Sequence, residues 1–195
     1  MRSRVLVVFL LCIFSFLPAL HAAHYTLDAD HTTVSFKIRH ILSWVQGNFR
    51  EFQGSFEYDP EAPDTWKVEA TIQAASIDTR VTQRDNHLRS KDFLEVETYP
   101  AIIFKSTGVK DMTPSSATLE GLLTIHGVEK PVALNLQIHG VAKDPWGNTR
   151  SAFTATTTIN RKDFGLTWNE VLETGQVLVG EEVVITLEVE GILKT

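Results

Sequence analysis

The chain has 195 residues, 18 basic and 24 acidic side chains, and a formal net charge of −6, so it has room for one domain and lacks a basic excess. That balance argues against nucleic acid as a partner, where phosphate neutralisation dominates affinity, and against electrostatic docking on an anionic membrane surface. The sole cysteine, Cys12, sits in the N-terminal segment, so thiolate metal sites, disulfides and cysteine nucleophiles are not expected in the body of the chain.

Residues 1–22 read as a secretory signal peptide. Arg2 and Arg4 provide a basic start, Val5 to Leu17 an apolar run broken only by Ser15, and Ala19, Ala22 and Ala23 the small residues of a cleavage region. The run is shorter than the roughly 20 residues that span a bilayer. Leu11, immediately before Cys12, is not the small residue that lipidation needs. The expected product is a soluble domain over 23–195, periplasmic or secreted, with no stable membrane insertion after cleavage.

From there the dominant period is two. Val34, Phe36 and Ile38 alternate with polar neighbours, and so do Val68 to Ala74, Val132 to Ile138, Ser151 to Ile159, and Val183 to Val189. Each reads as a strand with one buried and one wet face, as in antiparallel sheets. Less regular strands are expected at Gln46 to Tyr58, Ile102 to Val109, and Ala117 to Ile125. A bulge between Phe49 and Phe52 would bring both onto one face with Phe56. Turn signals at Asp59-Pro60, Met112 to Ser115, His126-Gly127 and Asp144 to Asn148 separate them. About eight strands result, which predicts an all-β barrel or sandwich.

One stretch breaks the alternation. From Thr82 to Thr98 charge is dense, Thr82 with Asp85 resembles a helix-start pair, and Ser90 could cap a second turn. One or two short helices are expected here, across an open barrel end where a lid would lie. The inward positions mix large residues (Phe36, Ile38, Phe56, Phe153) with small ones (Gly54, Ala70, Ala74, Ala155, Thr157). At eight strands an interior either fills with side chains or holds one small ligand. Composition leaves that choice open.

Ordered motifs carry a resemblance. YTLDADHTTVSFKIRH from Tyr25, GNFREFQGSFEYD from Gly47, SIDT from Ser76, RDNHLRSKDFL from Arg84 and YPAIIFKS from Tyr99 follow in one series. LEGLLTIHGVEKPV from Leu119, DPWGN from Asp144 and INRKDFGLTWNEVLETGQVLVGEEV from Ile159 complete it. Together they resemble the YceI-like family across nearly the whole mature chain. Two loops depart from the pattern. Ile41 to Trp44 reaches Gly47 one residue early, and Arg80-Val81 stands where a Gly-Asn-like pair is common.

The resemblance implies an extended eight-stranded antiparallel lipocalin-like barrel with a short helical excursion around residues 82–95. It also implies a secreted carrier or store for a polyisoprenoid or other long-chain amphipathic lipid, not an enzyme. No cofactor is required on this view. The bound molecule would be an isoprenoid or fatty-chain lipid, with a quinone among the options, and a homodimer is compatible with it. The residues expected around the lipid are Phe36, Ile38, Phe49, Phe52, Phe56, Leu88, Phe93, Phe104, Phe153, Phe164 and Trp168. Arg84, His87 and Arg89 are the candidates for its polar head group. Against this, Arg84 and Arg89 could instead pair with Asp78, Asp85 or Asp92 and pin the helices. Trp44 could wall a cavity, and Trp146 could cap a barrel end. No histidine pair has zinc spacing, no Gly-x-Ser-x-Gly elbow occurs, and no carboxylate pair stands out. Two rival readings stay open: a quinone-linked redox partner or enzyme acting on such a lipid, and a packed-core stress or interaction protein.

Overall fold

An edge strand leaves a row of backbone groups unpaired, and here the strands close into a ring that removes the edges. The computed structural model describes residues 22–173 and 175–194; the expected signal peptide lies almost wholly outside them. Its strands are β1 (Ala23–Leu27), β2 (Thr33–His40), β3 (Ser43–Phe49), β4 (Phe52–Tyr58), β5 (Lys67–Gln73) and β6 (Ile77–Asp78). After helix α1 (Thr82–Arg89) come β7 (Ala101–Lys110), β8 (Ser116–Ile125), β9 (Val128–Lys143), β10 (Thr149–Asn160) and β11 (Val179–Leu193).

The barrel is closed, antiparallel and eight-stranded, because the first six segments are three bent staves. β1 and β2 form the first, β3 and β4 the second, β5 and β6 the third, and β7 to β11 supply the rest. The long β11 seals the ring. Its first half pairs with β2 (Val183 opposite Ile38, Leu187 opposite Val34) and its end with β1 (Leu193 opposite Tyr25). At the β1–β2 bend the Thr32 side chain replaces a missing ladder partner: the Glu190 N–H donates to its Oγ1 at 3.1 Å. The second and third staves break beside each other, tied by Arg50 N–H to the Ser76 carbonyl and Gln73 N–H to the Glu51 carbonyl. The expected strand from Gln46 to Tyr58 is therefore two strands, interrupted at Arg50-Glu51.

Turn chemistry follows the residues. Ile125 pairs with Val128, so His126-Gly127 forms a two-residue hairpin, with φ of 51° and 72°. Both values are positive, as the favoured hairpin turn requires. Asp144 holds the β9–β10 turn by accepting from the N–H groups of Trp146 and Asn148. Trp146 does not cap the barrel end; it is 82% exposed at the tip of this turn. Thr82 does not cap α1 either. The cap position is Val81, with no side-chain bond, and the Asp85 carboxylate instead accepts from Thr79 N–H and Oγ1.

At the end of the barrel away from α1, Arg150 gathers three carboxylates. It reaches Asp28 at 2.6 Å, Glu190 at 2.6 Å and Asp144 at 2.8 Å. It thus clamps the β1–β2 bend to the β9–β10 hairpin and to β11. The Asp28, His31 and Glu190 side chains converge as metal ligands do, but the guanidinium already supplies the positive charge to both carboxylates. Hydrogen bonds from Arg150 hold the carboxyls of Asp28 and Asp144 below the ordinary range. A depressed carboxyl stabilises the fold above its unfolded pKa of about 3.9, and that contribution vanishes as pH falls through the folded value. Arg150→Met is therefore expected to melt below wild type at neutral pH. The gap should narrow below about pH 4 in thermal melts taken across the acid range; a gap that ignores pH would assign Arg150 a packing role only.

Candidate ligand-binding site

The inward faces do not meet in the middle. They enclose a cavity of about 400 Å³, within the roughly 300–1,000 Å³ of small-molecule sites. Its wall is almost wholly apolar and follows the period-two residues: Val34, Phe36 and Ile38 from β2, Val183, Ile185, Leu187 and Val189 from β11, and their counterparts elsewhere. From Val179 to Val189 the lining runs ten residue steps along β11. At about 3.3 Å per residue and a tilt near 40°, that is roughly 25 Å of axial depth.

Small residues hold this space open in two ways. Ala70, Ala155 and Thr157 line it directly. Glycines act indirectly, by letting phenyl rings lie along the wall. A Cβ on Gly47 would come within 2.5 Å of the Phe36 ring, and one on Gly191 within 2.5 Å of the Phe56 ring; Gly121 lies as close beneath Phe104. Gly54 and Ala74 contribute no open volume. Gly54 packs against the Glu69 carbonyl and Leu27, and Ala74 is buried outside the lining.

The far end is closed by aromatic rings. Tyr58 meets Trp66 at 4.7 Å and Phe153 at 5.0 Å, and Phe56 stacks on Tyr25 at 5.0 Å. The end near α1 is built differently. His87 stands edge-on to Trp168 (4.7 Å) and Phe93 (5.1 Å), while its Nε2 lies 3.0 Å from an Asp92 carboxylate oxygen. The ionisable residues lining this end are Arg84, His87, His40 and Arg161; Glu57 lines the opposite end, near Lys67. Next to His40, Ile41 N–H donates to the Leu178 carbonyl at 3.1 Å, and Leu42, Val171 and Val177 stand exposed in these two adjoining turns.

Of the eleven apolar residues expected around a ligand, ten line the cavity: Phe36, Ile38, Phe49, Phe52, Phe56, Leu88, Phe93, Phe104, Phe153 and Trp168. The break at Arg50-Glu51 brings Phe49, Phe52 and Phe56 to one wall, as a bulge would. Phe164 is the exception. It is 2% exposed and packs in the core behind the wall, because residues 161–164 turn away from β10. Trp44 is also displaced: it faces outward from β3, half-exposed, with Lys37 and Arg39 over its ring.

Among the head-group candidates, Arg84 and His87 reach the cavity and Arg89 does not. Arg89 donates from Nε to the Ala75 carbonyl and from Nη2 to the Ile77 carbonyl, both at 2.6 Å, tying α1 to the third stave. Arg84 donates to both oxygens of Thr79, the hydroxyl and the carbonyl. The two arginines do pin the helix, but through backbone and hydroxyl oxygens. Asp78 belongs to Arg50, Asp85 to Thr79 and Asp92 to His87.

Arg161 is a charged lining residue that sequence reasoning missed. It is 2% exposed, donates from Nε to the Gly180 carbonyl and from Nη1 to the Leu166 carbonyl, and leaves Nη2 without a partner among the described residues. The Gly180 carbonyl is available because β11 slips register against β2 between Val179 and Val183. A basic residue ending a long alternating strand, just before Lys-Asp-Phe-Gly, was the only local signal.

A closed eight-stranded barrel around an apolar tunnel, with cationic groups at one end, defines a class of small-molecule binding domains. The chain matches the YceI-like domain family over residues 25–191 and belongs to it. It is 41% identical over 174 residues to a UPF0312 protein of Ectopseudomonas mendocina, covering 88% of each chain. A YceI protein of Campylobacter jejuni has the same fold, with 34% identity and a TM-score of 0.69 over 88% of this chain and 98% of that one. A polyisoprenoid binding domain from Saccharophagus degradans superposes with a TM-score of 0.64 at 16% identity, over 89% and 99% of the two chains.

The ring-over-glycine arrangement has a measurable consequence. Gly47→Ala forces the Phe36 ring off the wall and should cost about 1–3 kcal/mol, as overpacking does. Adding Phe36→Leu should recover part of that loss. Urea unfolding of the two single variants and the double variant gives the coupling; additive losses would disprove the contact.

Proposed function

We propose that this protein is a secreted or periplasmic binding protein that encloses one long-chain amphipathic lipid, isoprenoid or fatty, for transport or storage, without catalysis. The observation that carries the reading is the continuous apolar lining, ending in aromatic rings at one end and in cationic side chains at the other. A polar molecule would lose its hydration there and gain almost no hydrogen bonds, whereas a hydrocarbon loses only water contact. Family membership and the fold shared with a domain described as polyisoprenoid binding support the same ligand class. The leader-like order of residues 1–22 supports export. A filled core, as a packed interaction protein would need, is not what the barrel encloses.

Burial of each methylene should contribute about 0.8 kcal/mol, or roughly a fourfold gain in affinity, until the tunnel is full. Titration with a homologous series of straight-chain or prenyl alcohols should therefore show a steep rise with tail length and then a plateau. Native mass spectrometry of protein purified from its source should reveal a single co-purified lipid. Affinities independent of tail length would overturn the reading.

A further inference from the structure

We propose that Arg161 is the buried anchor for an anionic oxygen on the ligand, so that the natural guest is an acidic amphiphile held head toward α1 and tail toward Trp66. This rests on the lipid-binding reading above and adds the charge class of the head group and the residue that receives it.

An arginine that is 2% exposed in an apolar wall needs compensation, because an unpaired buried charge is strongly unfavourable. Arg161 receives only part of it. Two carbonyls take Nε and Nη1, and among the described residues no carboxylate lies within ion-pair distance. The nearest acid to influence it, Glu181, is engaged by Lys162 at 2.5 Å and by Asn160. Burial accordingly pushes the guanidinium pKa down, with Glu181 opposing. It remains a cation at any physiological pH, since arginine starts above about 12.

The atom left over, Nη2, belongs to a side chain that lines the cavity. Arg150, at the other end of the barrel, has its charge met by three carboxylates, whereas Arg161 has none within ion-pair distance among the described residues. Arg161 is fixed through Nε and Nη1, and its Nη2 group has no partner among the described residues. A carboxylate or phosphate oxygen there would complete the donor set through a charge-assisted bond and would neutralise the buried charge. Arg84 lines the same end and adds a second guanidinium charge there, its donors spent on Thr79 oxygens and not on a carboxylate. The opposite end carries the Glu57 carboxylate and aromatic rings and no cationic lining residue.

The test uses three probes of equal tail length on the full chain: hexadecanoic acid, hexadecanol and hexadecylamine. The acid should bind about tenfold more tightly than the alcohol, and the amine most weakly. In Arg161→Met the acid should lose that advantage while the alcohol still binds. Equal binding of all three probes to wild type would overturn the anchor and leave the carrier reading intact. So would a preference that survives Arg161→Met but disappears in Arg84→Met. Failure of every probe to bind, including longer prenyl alcohols, would instead sink the carrier reading. Should Arg161→Met not fold, a crystal structure of wild type with hexadecanoic acid decides the matter. The carboxylate is expected against Nη2, and a carboxylate facing solvent or seated on Arg84 alone would refute the proposal.

Discussion

The structure depends on β11, which pairs with β10 along one edge and with two strands in succession along the other. Fifteen residues long, it follows β2 for its first half and β1 for its end, so a single chain segment closes the ring across a bend. That bend needs a substitute for lost ladder bonds, and Thr32 and Arg150 supply it with side-chain atoms. Closure removes the free edges that make an open antiparallel sheet prone to pairing with other chains. It also fixes the circumference, and with it a lumen that the inward side chains either fill or leave hollow according to how they lie.

The tunnel is kept open by the placement of glycine opposite phenylalanine. Phe36, Phe56 and Phe104 each lie along the wall, over Gly47, Gly191 and Gly121 respectively. The same residues that make the interior strongly apolar therefore leave it hollow. The departure from apolarity is local. Where β11 slips past β2, it releases a carbonyl that allows Arg161 to be buried, and so a register irregularity in one strand creates the polar feature of the lumen.

Much of the architecture was legible because period-two alternation is a local property. The inward sets on β2, β5, β9, β10 and β11 could be picked out residue by residue, and most of them line the cavity. The N-terminal β1 was not seen as a strand, since Ala23 to Leu27 alternates weakly and gains its definition from β4 and β11. Around α1 the charged residues were visible but their partners were not. Arg89 spends its donors on carbonyls twelve and fourteen residues away in sequence, which no spacing rule anticipates.

By itself, then, the sequence determined which residues face inward, how many staves there are and that their inner surface is greasy, because a strand's two faces follow from neighbour order alone. Whether those faces would touch or stand apart was decided only when the ring closed, since the outcome turns on which glycine lies under which ring from another strand. The same holds for Arg161. Its burial and its spare donor arise from carbonyls of Leu166 and Gly180 that only the folded register brings to it.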